Sequence, residues 1–166
     1  MGPPTDATEE DAPGILAIFN DVIATTTAVY REEPVPLEER LAWMRSRSAA
    51  GYPVFVIRDA RGVAGFASFG EFRAWPCYRH TVEHTVHVRA DVRGQGVGQK
   101  LLEALLGRAR DLGKHVLVAG IDADNAVSLR LHACLGFEEV GRFREVGRKF
   151  DRWLNLVFLQ RLVERP

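Results

Sequence analysis

Cysteine is scarce in this sequence. Cys77 and Cys134 are the only two in 166 residues, and they form no C-x-x-C pair. A disulfide framework and a cysteine-rich metal knuckle are therefore both excluded. Charge of one sign is also missing, since Lys+Arg and Asp+Glu each number 22 and the formal net charge is zero. That balance argues against a broad nucleic-acid footprint and against adsorption on an anionic membrane, leaving room only for local basic pockets. No apolar run approaches the length of a membrane span. Met1-Gly2-Pro3-Pro4 has neither the charged nor the apolar region of an export signal, so a cytoplasmic location is expected. No repeat, low-complexity tract or linker divides the chain, and one domain over residues 1–166 is expected.

Glycine, by contrast, is concentrated where it has most effect. Val86-His87-Val88-Arg89-Ala90-Asp91-Val92-Arg93-Gly94-Gln95-Gly96-Val97-Gly98-Gln99-Lys100-Leu101-Leu102 reads as a strand, a basic glycine turn and the start of an amphipathic helix. Glycines at 94, 96 and 98 allow positive φ and close backbone approach, while the helix start offers free N–H groups and a positive dipole end. A phosphate or pyrophosphate would be held there, with Arg93 in support. A Walker A loop is excluded because Lys100 is followed by Leu101 and no hydroxyl is available for Mg²⁺. A dinucleotide fingerprint fails too. Counting from Gly94 puts Gln99 at the third glycine position, and counting from Gly96 puts Leu101 there.

Around this turn the periodicity sets out the other elements. Residues 1–7 make a poor strand, and Thr8-Glu9-Glu10-Asp11 is a cap-like helix start. Ile15, Leu16, Ile18, Phe19, Val22 and Ile23 then follow at helical spacing. A second helix is predicted over 37–49, with Leu41, Trp43 and Met44. Val54–Ile57 and Val63–Phe69 read as a hairpin around Asp59-Ala60-Arg61-Gly62. An aromatic and basic loop over Glu71–His80 precedes a strand over Thr81–Val88. After the glycine turn come a helix over about 96–112, a strand over 116–121 and a helix to about Leu135. Two closing strands are expected over Phe137–Val146 and Phe150–Leu159. The opening hairpin breaks regular βαβ alternation, so a mixed α/β (α+β) fold with a partly antiparallel sheet is predicted, rather than a doubly wound parallel one.

Two motifs carry a resemblance to a known superfamily. Arg93-Gly94-x-Gly96-x-Gly98 is similar to the [QR]-x-x-G-x-[GA] turn of the GNAT N-acetyltransferases. Asn125-x-x-Ser128-x-x-Leu131-His132-x-x-Leu135-Gly136-Phe137 resembles their second signature, in the same order. The resemblance implies a mixed central sheet of about six to seven strands flanked by helices, with acetyl-CoA as co-substrate and no metal. Within the superfamily, Thr81–Val88, Gly51-Tyr52-Pro53, the Phe72-Arg73 to Tyr78-Arg79 loop, Leu131-His132 and Val146-Gly147-x-Lys149-Phe150-x-x-Trp153 resemble the phosphinothricin and methionine sulfoximine acetyltransferases. Those enzymes acetylate the α-amino group of small amino-acid analogues, typically as homodimers. The loop departs from their pattern at Ala74 and Cys77.

Acetyl transfer to an amine needs a neutral amine, a stabilised oxyanion and a protonated sulfur leaving group. Strand alternation puts Thr81, Glu83, Thr85 and His87 on one face and Val82, His84, Val86 and Val88 on the other. Glu83 is the candidate base, against the plainer alternative of a carboxylate paired with Arg73. His132 is either a second base, the acid for the thiolate, or a histidine bonded to backbone. The resemblance implies cofactor contacts from Val86, His87, Val88, Arg93, Gly94, Gln95, Gly96, Val97, Gly98 and Gln99, with the Val88 N–H polarising the thioester carbonyl. It implies further contacts from Asn125 and Ser128, although Asn125 also fits an ordinary N-cap. Arg73, Trp75, Arg79, Glu83, His84 and Thr85 are the substrate-binding candidates. A guanidinium suits bidentate capture of a carboxylate or phosphinate, and the plainer alternative is a solvated loop with extended arginines. His80, His84 and His87 are not read as metal ligands, because strand neighbours face opposite ways and no acid or cysteine sits at ligand spacing.

Overall fold

The computed structural model describes residues 1–163. Seven strands form one sheet in the order β1-β2-β3-β4-β5-β7-β6. They are β1 (Thr5–Asp6), β2 (Val54–Asp59), β3 (Gly62–Glu71), β4 (Thr81–Val88), β5 (Val116–Asp122), β6 (Glu138–Lys149) and β7 (Arg152–Leu162). Four α-helices accompany them: α1 (Ala12–Thr25), α2 (Leu37–Ala49), α3 (Val97–Asp111) and α4 (Ala126–Cys134). Every neighbouring pair of strands is antiparallel except β4 and β5. The predicted mixed sheet with its opening hairpin is what forms.

Both faces of the sheet are buried at β2 and β3, which is why β2 is a continuous apolar run from Val54 to Ile57 rather than an alternating one. Helix α3 lays Val97, Leu101, Leu102, Leu105 and Ala109 on the face carrying Phe55, Phe69, Val82 and Leu117. Helix α1 packs Ile15, Ile18 and Val22 on the other face with Met44 of α2, against Val56 and Phe66. The entry to α1 is fixed by a short 3₁₀ turn over Glu9–Asp11. There the Thr8 N–H donates to the Asp11 carboxylate at 2.8 Å, and Arg58 of β2 closes on the same carboxylate at 2.5 Å.

Several boundaries differ from the sequence expectations. Residues 1–7 do contain a strand, because the two residues of β1 pair with Phe55 and Val56 and so extend the sheet edge. Strand β6 runs three residues beyond Val146, to Lys149. Strand β7 begins at Arg152 rather than Phe150, since Phe150 and Asp151 adopt left-handed backbone (φ 51° and 56°) and form the two-residue hairpin turn.

The one parallel pairing positions everything that follows. β4 and β5 are in register only at Thr81–Val116, Val82–Leu117 and Glu83–Val118. Beyond Glu83 the two strands diverge, leaving His84–Val88 without a β5 partner while β3 still pairs β4 as far as Val88. The Arg89 N–H bonds the Ala64 carbonyl and the His80 carbonyl takes the N–H of Val116, so odd-numbered residues of β4 bond toward β3 and even-numbered ones toward β5. The backbone amides of Val86 and Val88 therefore point into a wedge-shaped opening.

Candidate active site

At the mouth of this wedge lies the glycine turn. Gly94 and Gly96 both have positive φ (76° and 79°), and Gly96 is the left-handed N-cap of α3. A β-carbon would be strained at either position. Lys100 N–H is the first to bond back along the helix, to the Gly96 carbonyl at 3.1 Å, so the amides of Val97, Gly98 and Gln99 have no acceptor within the helix. No acidic residue stands in this first turn. Arg93 donates from Nε to the Val88 carbonyl at 3.1 Å, and its Nη2 lies 3.7 Å from Asp21 of α1. An anion at this helix end would meet backbone donors, the dipole and one half-exposed guanidinium. These residues fit the pyrophosphate of acetyl-CoA, and the open edge of β4 fits an extended pantetheine arm with amides of its own.

Alternation along β4 puts different chemistry on its two faces. Glu83 points to the α1–α2 side, where a Cβ on Gly120 would lie 3.3 Å from its Oε1 and 3.6 Å from Leu156 and Phe158. Burial among these groups pushes the Glu83 carboxyl above the usual range, against an opposing pull from Arg73. A carboxylate so desolvated at the apex of a cleft has the character of a general base. His87 shares that face and packs edge-on to Phe19 (5.9 Å) and against Phe66 (5.3 Å); burial, with Arg40 and Arg93 nearby, pushes it down to about 4.

His84 points to the opposite face and meets His132 of α4, with Nε2 to Nε2 at 3.0 Å and the rings stacked at 5.2 Å. Both are buried, at 6% and 4% exposure, and Phe137 closes over them at 5.5 and 5.0 Å. Burial pushes His84 down to about 3, aided by its neighbour His132, and lowers His132 as well. Asn125 is engaged as the N-cap of α4, accepting the Ser128 N–H at 3.1 Å. Thus Glu83, His84, Thr85, Val86, His87 and Val88 line the wedge or its walls, with His132 behind them and the glycine turn at the mouth.

The loop candidates lie further out. Arg73 spreads over the Phe72 ring at 4.9 Å and is close enough to Glu83 to act on its charge. Trp75 is 75% exposed, and Arg79 turns back to the Pro76 carbonyl at 3.3 Å. Among the described residues no group of three or more His, Cys, Asp or Glu is placed to hold a metal ion, and no helix is long and apolar enough to cross a membrane.

Other residues around the site had no role assigned to them from the sequence. Lys149, 2% exposed, donates to the carbonyls of Ile23, Thr26 and Val29 at 2.6, 2.8 and 2.8 Å. It thereby ties the loop after α1 to the end of β6. Thr27 bonds Asp122 at the end of β5, and the Tyr30 hydroxyl reaches the Asn155 carbonyl at 3.4 Å. Arg40 is buried between the Phe19 ring (3.9 Å) and the Trp43 ring (4.6 Å), with no partner for its Nε among the described residues. Polar residues without sequence neighbours of matching charge gave no local signal for these contacts.

The acetyltransferase (GNAT) family profile matches residues 15–137. The chain is 52% identical over 156 residues to an L-methionine sulfoximine/L-methionine sulfone acetyltransferase of Pseudomonas aeruginosa, covering 93% of this chain and 91% of that one. It is 46% identical over 154 residues to the L-amino acid N-acyltransferase MnaT of Escherichia coli, covering 93% and 90%. Among solved structures, a GNAT superfamily phosphinothricin acetyltransferase from Sinorhizobium meliloti in complex with acetyl-CoA superposes with a TM-score of 0.93. It is 34% identical, with 96% of this chain and 87% of that chain covered.

Proposed function

The chain belongs to the acetyltransferase (GNAT) family, and from that premise we propose that it acetylates the α-amino group of a small amino-acid-like molecule of the methionine sulfoximine, methionine sulfone or phosphinothricin type. The observation that carries this reading is the wedge between β4 and β5, with an anion-binding helix end at its mouth and desolvated Glu83 at its apex. The printed activities of the relatives supply the acceptor class.

Acetyl-CoA, when bound, supplies an acyl group activated as a thioester. The chain's residues do the rest. Backbone amides at the start of α3 hold the pyrophosphate, and the inward N–H of Val88 polarises the acyl carbonyl where negative charge develops. Glu83 takes the proton of the acceptor ammonium, which must be neutral before it can attack. His132, on the far side of β4, has both ring nitrogens engaged, by the Ser128 carbonyl and by His84, so whatever it does for the departing sulfur runs through the His84 contact. Arg73, whose charge is felt at Glu83, receives the acceptor's acidic group in this reading, a role a planar guanidinium performs bidentately.

The second part of the proposal is a homodimer. Val140, Phe143, Val146, Phe150 and Trp153 are all more than half exposed on the outer β6–β7 hairpin. Large apolar side chains gathered on an edge hairpin are what a self-associating surface presents. Sedimentation of the wild type as a dimer, and of Phe143→Ser/Trp153→Ser as a monomer, is the expected result; a monomeric wild type at micromolar concentration would refute it.

The activity is tested by thiol release from acetyl-CoA with methionine sulfoximine, phosphinothricin and spermidine offered in parallel. Turnover with either amino-acid analogue supports the acceptor class. Turnover with spermidine alone would overturn it.

A further inference from the structure

The contact between His84 and His132 fixes where every hydrogen on the pair resides. A carbonyl oxygen can only accept, so the 2.7 Å contact between His132 Nδ1 and the Ser128 carbonyl places a hydrogen on Nδ1. A neutral imidazole carries one N–H, so His132 Nε2 is then a bare lone pair. The hydrogen in the 3.0 Å Nε2–Nε2 contact must accordingly belong to His84. That makes His84 the Nε2–H tautomer; its Nδ1, buried and without a well-formed hydrogen bond among the described residues, lies toward the Val118 carbonyl, whose pull for a second proton there is outweighed by burial.

We propose that His84 is a positioning residue, whose Nε2–H holds His132 in the Nδ1–H tautomer and fixes its ring between β4 and the Ser128 carbonyl. The inference rests on the acetyltransferase reading for its catalytic consequence, but the geometry stands apart from it. Burial supports the assignment independently, because both imidazoles are held neutral near pH 7 and a neutral pair can share only one hydrogen between facing nitrogens. Phe137 packs against both rings and leaves neither free to turn without displacing it. Any proton that His132 gives or takes at Nε2 must therefore move along the line already occupied by the His84 hydrogen. The face that the sequence assigns to acceptor contacts at His84 is thus spent on orienting a neighbour.

The test combines long-range ¹H–¹⁵N spectra of the imidazoles with kinetics of His84→Leu and His84→Gln. In the wild type, His132 should show a protonated Nδ1 and a bare Nε2, with His84 the reverse. A protonated Nε2 on His132 would overturn the proposal whatever the substrate proves to be. His84→Leu removes the donor, so His132 should lose its single tautomer and kcat should fall about 10- to 100-fold, the scale of an ångström-sized misplacement. The KM for the acceptor amine should stay within about threefold. His84→Gln keeps an N–H of similar reach and should recover about tenfold of the lost kcat. A recovered rate separates orientation from mere core filling, because leucine fills the space and glutamine restores the bond. Equal impairment of both folded variants, or a kcat for His84→Leu within about threefold of wild type, would refute the proposal. Should the leucine variant fail to fold, the wild-type tautomers and the glutamine variant decide. Tautomers as stated beside an inert acceptor panel would support the pair and sink the acceptor reading alone.

Discussion

Replacing Glu83 by glutamine should slow the enzyme and stabilise the protein. The amide is nearly isosteric, so the packing of the side chain beside Gly120 survives while the ability to take a proton is lost. Loss of a positioned general base costs about 10²- to 10⁴-fold in kcat, or roughly 2.7–5.4 kcal/mol of barrier at 1.36 kcal/mol per decade. The stability effect runs the other way. Burial raises the folded-state pKa of Glu83 above its unfolded value, so the folded protein binds more protons than the unfolded chain between the two values. Stability therefore falls as pH rises through that window and stays lower above it. Glutamine carries no charge to desolvate, and Glu83→Gln should melt higher than wild type at pH 7, with the difference vanishing below about pH 4, near the ordinary value of a solvated glutamate. The pH profile of kcat/KM should lose its acidic limb in the same variant. Steady-state thiol release and thermal melts at several pH values measure both halves. A kcat within threefold of wild type, or a variant that melts lower at pH 7, would refute the assignment of Glu83 as a desolvated base.

Gly96→Ala forces a β-carbon into left-handed backbone at a cost of about 1–2 kcal/mol; its effect should appear mainly as a raised KM for acetyl-CoA, because the strained turn is the one that presents the α3 amides. Asn125→Ala removes the cap of α4 and should cost about 1 kcal/mol by denaturant titration; a much larger loss in acetyl-CoA affinity would show that the amide also holds the cofactor. Lys149→Met strips three carbonyls of their shared donor and should lower stability by at least about 2 kcal/mol. In a chain of this size that is a fall in Tm of roughly 4–8 °C.

Sequence carried the elements whose signals are local. The glycine turn, the α3 stripe of Leu101, Leu102 and Leu105, and the alternation that parts Glu83 from His84 were all legible because each depends on residues a few positions apart. The divergence of β4 from β5 was not legible. Nothing in Val86 or Val88 says that their amides lack a strand partner, since that depends on where a parallel neighbour 30 residues away turns aside. The two-residue β1 escaped notice because its pairing to Phe55 and Val56 comes from the sheet edge rather than from β propensity. Phe150 and Asp151 concealed a hairpin turn, as neither is glycine yet both take positive φ. The structural role of Lys149 was not legible, because the carbonyls it satisfies lie 120 to 126 residues earlier.

That last separation bears on how the protein comes into being on the ribosome. Helix α1 and the loop after it emerge first, and the ammonium that fastens them and the Asn155 carbonyl that receives Tyr30 follow only 120 to 126 residues later. Contacts of such sequence separation form late, after the chain-closure entropy of everything between them has been overcome. A nascent chain therefore assembles its acetyl-CoA turn, on residues 93–99, before the loop from Thr26 to Tyr30 can be tied down. The loop beside the site is therefore fastened only when the β6–β7 hairpin closes.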